Sequence, residues 1–333
     1  MKEIHVTKNE EGYKLKKLCM NYLDKAPASF IYKMLRKKNI VLNDKKADGN
    51  EMLKLGDSVK FYLSDETIES FKTEKISRLS GIEKSKKLDI IYEDDNYIFC
   101  NKPVNMLSQK AKKEDVSINE IILAYLLESG SVTEDSLATF RPSVVNRLDR
   151  NTSGIILASK TPAGARILSE LIRSRSAKKY YLACVAGKAK RLGHFKAYLR
   201  KDEKKNLVNV SDKPSVDANL IETDISLEKY SSSLNVSLLR IELITGKSHQ
   251  IRSHLAYLGM PIIGDIKYGD KEVNKRFKDS KGINSQMLFA YEISFPNIDD
   301  LVDMNIDPSD YKNLSGNTFS AKPPKSFDFI MKA

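Results

Sequence analysis

The spacing of hydrophobic positions changes twice along the chain, and each change marks a different kind of structure. Near the start, Leu15, Leu18, Cys19 and Tyr22 recur three and four residues apart, and Phe30, Ile31, Met34 and Leu35 do the same. That spacing lays one apolar stripe along each of two short helices. Ala26-Pro27-Ala28-Ser29 separates them, with Ser29 the expected N-cap of the second. Ile40-Val41-Leu42 then reads as a strand, Asn43-Asp44-Lys45 as a turn, and residues 55–61 as a turn entering another strand.

Residues 66–88 carry Lys, Glu and Ser with few apolar positions, and read as a linker that is helical in part. From Leu88 onward strands and helices alternate densely. Residues 89–92 and 97–100 flank a polar turn, as in a hairpin. Ser117 and Glu120 have the spacing of a capping box ahead of Ile121-Ile122-Leu123. Thr161-Pro162 opens a helix running to about Arg173, since proline is tolerated in a first turn. Strands are expected at 180–185, 194–199 and 234–243, the last leading into a helix that ends near Gly259. Strands and helices mixed without a regular βαβ repeat argue for an α+β fold. The expected organisation is a small module at 1–66, a linker at 67–87 and a large domain at 88–333.

Charge narrows the partner. Fifty-six Lys and Arg against 44 Asp and Glu leave a net charge of +12, an excess that suits nucleic acid or an acidic membrane surface. No apolar run approaches the roughly 20 residues that span a bilayer, and the first residues lack the apolar core of a secretory signal. Cys19, Cys100 and Cys184 lie far apart in apolar surroundings and read as reduced core thiols. These features point to a cytoplasmic protein that binds nucleic acid and not membrane. On and beyond the second helix, Lys33, Arg36, Lys37 and Lys38 form a surface suited to tracking phosphates, against the plainer reading of a solvated face.

The candidate chemistry begins at 145–154, Val-Asn-Arg-Leu-Asp-Arg-Asn-Thr-Ser-Gly, which runs into the apolar Ile155-Ile156-Leu157-Ala158. Asp149 sits between two arginines. Nearby cations favour an ionised carboxylate, which suits a nucleophile or base rather than a proton donor. The competing reading is a surface loop with solvated ion pairs. Four other segments carry polar residues that packing does not require: Asn101-Lys102-Pro103, Lys179-Tyr180-Tyr181, the run from Thr245 through Arg252, and Gly264-Asp265 with Tyr268-Gly269. The adjacent tyrosines must face opposite sides of a sheet. Lys102 also reads as a solvated turn residue and Tyr181 as a half-buried core ring. His249 and His254 stand five apart, the wrong spacing for two ligands on one helical face, so no metal is expected. Gly246-Lys247-Ser248 imitates the end of a phosphate-binding loop, but no glycine stands five residues earlier.

Taken in order, these segments resemble the RNA pseudouridine synthases of the large-ribosomal-RNA class, the RluA, RluC and RluD type. That family carries Asn-Lys-Pro, Arg-Leu-Asp-x-x-Thr-Ser-Gly, Lys-x-Tyr, Gly-Arg-x-His-Gln-Ile-Arg and Gly-Asp-x-x-Tyr-Gly, matched here at 101–103, 147–154, 179–181, 246–252 and 264–269. The first 65 residues resemble the S-four-like RNA-binding module, with Asn43-Asp44 where Asn-Gly is usual. Asn146 replaces the family's histidine and cannot titrate near neutrality. Lys247 replaces its arginine, keeping the charge without the bidentate fork.

The resemblance implies an α+β pseudouridine synthase fold with a mixed, mainly antiparallel sheet flanked by helices and loops, plus a small N-terminal α/β RNA-binding module. It implies isomerisation of uridine without a cofactor. Asp149, Tyr181 and Arg252 would be catalytic. Lys102, Asn146, Arg147, Lys179, Lys247, His249 and Gln250 would bind substrate. Large-subunit ribosomal RNA is the expected partner, with transfer RNA next, and a monomer the expected state. The alternatives are a non-catalytic RNA-binding or ribosome-assembly protein, and a glycosidase. The latter normally needs paired carboxylates, and Asp149 has no second acid in its loop.

Overall fold

A computed structural model describes residues 1–72, 88–112, 114–202, 207–302, 304 and 306–333; most of the expected linker, 73–87, lies outside the described residues. The chain divides into two compact units. One comprises Met1–Lys87, Asn119–Ser143 and Ser159–Arg166, the other Leu88–Ile118, Val144–Ala158 and Ile167–Ala333. No helix among the described residues is long and apolar enough to cross a membrane.

In the first unit the two amphipathic stripes become α1 (Leu15–Tyr22) and α2 (Ala28–Arg36). They pack on an antiparallel sheet of β1 (Lys2–His5), β2 (Ile40–Leu42), β3 (Lys45–Lys46) and β4 (Ser58–Phe61), in the order β1-β4-β2-β3. Leu15, Leu18, Ile31, Leu35, Ile40, Val59 and Phe61 are buried together. A short α3 (Asp65–Ser70) follows. Ser29 does not cap α2. Pro27 takes the N-cap position because its fixed φ sets an extended entry and its carbonyl accepts from Phe30 N at 2.9 Å, leaving Ser29 inside the first turn. Asn43 and Asp44 both have positive φ, 50° and 60°, as a primed hairpin turn requires. Asp44 can occupy the position usually given to glycine because short polar side chains tolerate the left-handed region. Two helices from the middle of the chain, α4 (Ile118–Glu128) and α5 (Glu134–Thr139), contribute to the same unit. Thr139 donates to Glu10 Oε1, and Asn21 Nδ2 donates to the Thr139 carbonyl at 2.9 Å.

Most of the large sheet belongs to the second unit. Its strands are β5 (Ile90–Glu93), β6 (Tyr97–Lys102), β7 (Ser143–Val144), β8 (Ser153–Ser159), β9 (Lys178–Ala186), β10 (Gly193–Asp202), β11 (Leu207–Ser211), β12 (Asn219–Ser231), β13 (Val236–Leu243), β14 (Leu288–Ser294) and β15 (Thr318–Ser320). The order is β11-β10-β12-β13-β9-β14-β8-β6-β5, with β15 on β14 and β7 on β8. Its neighbours are mainly antiparallel, and β8 runs parallel to β14. The fold is α+β with a mixed sheet, as expected. Helices α6 (Pro162–Arg173), α7 (Gln250–Tyr257) and α8 (Lys271–Lys281) complete the main elements.

Hydrophobic spacing did not reveal β12, although it is 13 residues long. Its inward positions alternate as Ile221, Thr223 and Ile225, and the buried threonine hides the pattern. Nor did it reveal α8, whose residues are polar except for Val273 and the buried Phe277.

One register decides where the polar loops meet. Ala290 of β14 stands opposite Gly154 of β8 on one side and Tyr181 of β9 on the other. Gly154 has φ +114°, and a Cβ there would lie 2.1 Å from the Ala290 carbonyl oxygen. Gly154→Ala therefore opposes both the backbone conformation and the close approach of two strands. It should destabilise the protein by roughly 3 kcal/mol or more, read from urea unfolding curves. A loss below about 1 kcal/mol would show that β8 and β14 can separate without cost.

Candidate active site

The loop between β7 and β8 carries Asp149, and its backbone is tied down on both sides. Ser108 Oγ accepts from Leu148 N and donates to the Leu148 carbonyl, both at 2.9 Å. The Asp149 carbonyl accepts from Thr152 N at 3.0 Å, closing a tight turn. Asn146 spans the loop's neck: its Oδ1 accepts from Leu157 N at 2.7 Å and its Nδ2 donates to the Ile155 carbonyl at 3.3 Å. Lys102, fully buried at the end of β6, donates to the carbonyls of Pro103, Met106 and Arg150 at 3.0, 2.8 and 3.2 Å. These contacts fix the backbone around Asp149 while its side chain stays 29% exposed.

The opposite wall comes from the segment after β13. Gln250 is buried and staples this segment to β12. Its Oε1 accepts from Thr245 Oγ1 and Lys247 N, and its Nε2 donates to the Glu222 carbonyl and Thr223 Oγ1. His249, at the N-cap of α7, takes φ +55°, a strained value for a non-glycine residue. In the first turn of α7, Arg252 projects between two carboxylates. Its Nη1 donates to Asp149 Oδ2 at 2.8 Å, while Nε and Nη2 form a fork on Asp265 at 2.7 and 2.8 Å. Burial pulls the Arg252 guanidinium down, but the two carboxylates overcome it and hold the group above its usual range. Burial likewise pushes Asp265 up, yet Arg252 and the backbone N–H groups of Lys267 and Tyr268 keep it below the usual carboxylate range.

His249 Nε2 is 4.0 Å from Asp149 Oδ2, and its Nδ1 shares a 2.9 Å hydrogen bond with the Tyr268 hydroxyl. Burial lowers its pKa; Asp149 opposes that shift, while Arg252 and Lys267 add to it. The ring is therefore mostly neutral at neutral pH. Tyr181 is buried on β9 and its phenol is raised well above the usual range, first by burial and then by the charge of Asp149. Tyr180 points to the other face, beneath the Arg240 guanidinium at 4.3 Å from its ring centre. The Lys179 ammonium reaches Gly246, 3.8 Å from where a Cβ would stand, and burial followed by Arg175 lowers its pKa.

The structure thus gathers Asp149, Arg252, His249 and Tyr181. It places Arg147 and Lys247 on the exposed surface of the second unit. Lys33, Arg36, Lys37 and Lys38 are exposed in the first. The polar atoms of Lys102, Asn146 and Gln250 are engaged in holding the loops. Sequence reasoning gave no role to Asp265 or Tyr268. The Gly-Asp-x-x-Tyr-Gly cluster was the available signal, but nothing local in it reveals a partner 13 residues earlier.

The RNA pseudouridylate synthase family profile matches residues 96–257. An uncharacterized RNA pseudouridine synthase of Mycoplasma genitalium is 30% identical over 298 residues, covering 88% of this chain and 89% of the relative. The ribosomal large subunit pseudouridine synthase C of Buchnera aphidicola is 31% identical over 302 residues, 88% of each chain. The solved structure of human RNA pseudouridylate synthase domain containing 4 has the same fold, with a TM-score of 0.51 at 21% identity over 72% of this chain and 91% of that one. The chain belongs to the RNA pseudouridine synthases, isomerases that convert uridine in RNA to pseudouridine.

The buried Lys102 yields a pH prediction. Burial lowers its pKa from the usual 10.5 to about 8, against the opposing pull of Asp149. Between those values the unfolded chain binds more protons than the folded one, so stability contributed through Lys102 rises with pH. Relative to Lys102→Met, the wild-type unfolding free energy should rise from pH 8 to pH 10.5 by up to about 3 kcal/mol. Paired urea titrations measure this, and a flat difference would mean that the ammonium reaches water.

Proposed function

We propose that this enzyme converts uridine to pseudouridine in large-subunit ribosomal RNA, with Asp149 as the reacting carboxylate. The observation that carries the assignment is the 2.8 Å bond from Arg252 to Asp149 Oδ2. It fixes one carboxylate oxygen, while Oδ1 has no hydrogen bond among the described residues. The reaction breaks the bond from uracil N1 to the ribose, turns the base and joins C5 to the same carbon; C5 loses a proton and N1 gains one. A held carboxylate with one unengaged oxygen can serve as nucleophile at the sugar or base, or as base toward a ribose proton. The names of the relatives support ribosomal RNA as the substrate.

Tyr181 supports the turned base. Stacking on its ring is worth about 1–3 kcal/mol per base. Its raised phenol stays protonated at neutral pH, so the hydroxyl donates hydrogen bonds rather than acting as a base. The neutral His249 supplies a further hydrogen bond near Asp149. Arg147, Lys179 and Lys247 meet the RNA backbone as charges, and the exposed Arg147 suits the space vacated by the extruded uridine. Extrusion costs a few kcal/mol, which favours a uridine in a loop or bulge. Lys102, Asn146 and Gln250 keep the two walls in place.

Residues 1–66 act as the RNA-binding module, with Lys33, Arg36, Lys37 and Lys38 neutralising phosphates. Replacing all four by glutamine should make the slope of log affinity against log salt shallower, by up to about 0.7 for each phosphate of a single-stranded RNA that is no longer neutralised. An unchanged slope would leave this surface merely solvated.

Asp149→Asn nearly preserves shape while removing the charge. Conversion, read by chemical labelling of the carbon-linked product, should fall by at least about a thousandfold, with RNA affinity and melting temperature close to wild type. Undiminished conversion by the purified variant would remove Asp149 from the chemistry. RNA binding by a wild type that converts no uridine would favour a binding protein.

A further inference from the structure

Asp265 is fully buried and touches Arg252 through both carboxylate oxygens. Its own position is over-determined. Oδ1 also accepts from Lys267 N at 2.8 Å and Tyr268 N at 3.1 Å. Asn274 of α8 grips the backbone from behind, donating to the Asp265 carbonyl at 2.8 Å and accepting from Gly264 N at 2.6 Å. Gly264 and Gly269 close the turn: a Cβ at either would come within 2.2 Å of a backbone oxygen. The carboxylate is therefore held by its own loop, while Arg252 belongs to a helix.

A guanidinium has five N–H donors in one rigid plane. With Nε and Nη2 on Asp265, that plane is set, and Nη1 is directed at Asp149. The Tyr268 ring lies 5.2 Å from the guanidinium carbon. The Tyr268 hydroxyl accepts from Val208 N at 3.0 Å and bonds to His249 Nδ1, so the same short loop also constrains the imidazole. Arg252 alone, on a flexible side chain, could pair with Asp149 in several orientations. Asp265 leaves it one.

We propose that Asp265 is a positioning residue for pseudouridine formation: by gripping two nitrogens of Arg252 it fixes which nitrogen, and in what direction, meets Asp149. This rests on the reading of Asp149 as the reacting carboxylate. Fully buried behind Arg252, Asp265 acts on the reaction through that guanidinium. Its removal acts through Arg252, so the consequence must disappear when Arg252 can no longer form the fork.

The test is a double-mutant cycle on single-turnover conversion of a short uridine-containing RNA, with RNA affinity and thermal unfolding measured alongside. Asp265→Asn in the otherwise native enzyme should slow conversion by about a hundredfold, with RNA affinity changed less than about threefold. In an Arg252→Lys background, where no fork exists, the same substitution should cost less than about threefold. A merely structural role would cost the same in both backgrounds, and that equality, or a rate within about twofold of wild type, overturns the proposal. If Asp265→Asn does not fold, Asp265→Glu keeps the charge but displaces the fork, and the same comparison decides. Asp149→Asn is run beside them. If it converts RNA normally, the reading of Asp149 fails and takes this proposal with it. If it is inactive while Asp265→Asn behaves as wild type, only the role of Asp265 falls.

Discussion

The buried guanidinium of Arg252 is the contact on which the rest of the site depends. It joins a loop before β8 to a loop before α8 through the first turn of α7, so three separate segments, one of them 103 residues from Arg252, meet at one planar group. Burying a charge costs several kcal/mol after relaxation, and removing one partner of a buried pair typically costs about 3–5 kcal/mol because the other is left uncompensated. Such a group is tolerable only when its donors are matched. Here the fully buried Asp265 balances the charge, and the partly exposed Asp149 is held by one remaining donor. The asymmetry matters: one carboxylate is locked inside the scaffold and the other is partly exposed, with one oxygen that has no hydrogen bond among the described residues. The same residue type thus does two different jobs because burial differs.

That contact is possible only because the sheet brings its ends together. Ala290 pairs with Gly154 and Tyr181 at once, so β14 acts as the spacer between the Asp149 loop and the aromatic ring. The absence of a side chain at Gly154 sets how closely the strands approach, and the seven buried residues of β8 anchor the loop's far end. Rigidity continues outward through side chains whose polar atoms never reach solvent. The Lys102 ammonium caps three carbonyls, including that of Arg150, next to the carboxylate. Such preorganisation lets a partly exposed group keep one orientation without being buried itself.

The turn carrying Asp149, the strand opened by Tyr180-Tyr181 and the helix bearing Arg252 were legible in the sequence because each announces itself locally: a charge on a turn before an apolar run, paired tyrosines opening a strand, a polar stretch entering a helix. The roles expected of these residues came from the resemblance. The fold class was legible from the mixture of periods. What escaped did so for identifiable reasons. Thr223 is a polar residue buried at an inward position of β12, where Gln250 Nε2 and His254 Nδ1 both reach its hydroxyl, so strict alternation failed. Ser29 has the right chemistry for a cap but lies two residues late, because Pro27 already supplies the entry. Asp265 looked like a turn residue, and it is one, since it accepts from two backbone N–H groups of its own turn. Its second duty toward Arg252 is a tertiary fact that no local pattern encodes. Lys102, Asn146 and Gln250 illustrate the converse: polar type at a motif position does not reveal whether the group faces substrate or scaffold.

The two departures from the family's motifs become intelligible in the same terms. Asn146 bridges a backbone N–H and a backbone carbonyl across the neck of the loop, which needs an acceptor and a donor held together in one plane. An amide provides both without titrating, so the clasp keeps its form across the pH range in which an imidazole would change charge. Lys247 contributes to the opposite wall through its backbone, whose N–H donates to Gln250 Oε1 at 3.1 Å, while its side chain is exposed. Exchanging the fork of an arginine for the point charge of a lysine there alters a contact with solvent or RNA and leaves the wall intact. Both substitutions thus fall where the scaffold draws on what the new residue retains. Arg252 is different: Nε, Nη1 and Nη2 are all engaged, and no other side chain could supply three donors in that plane.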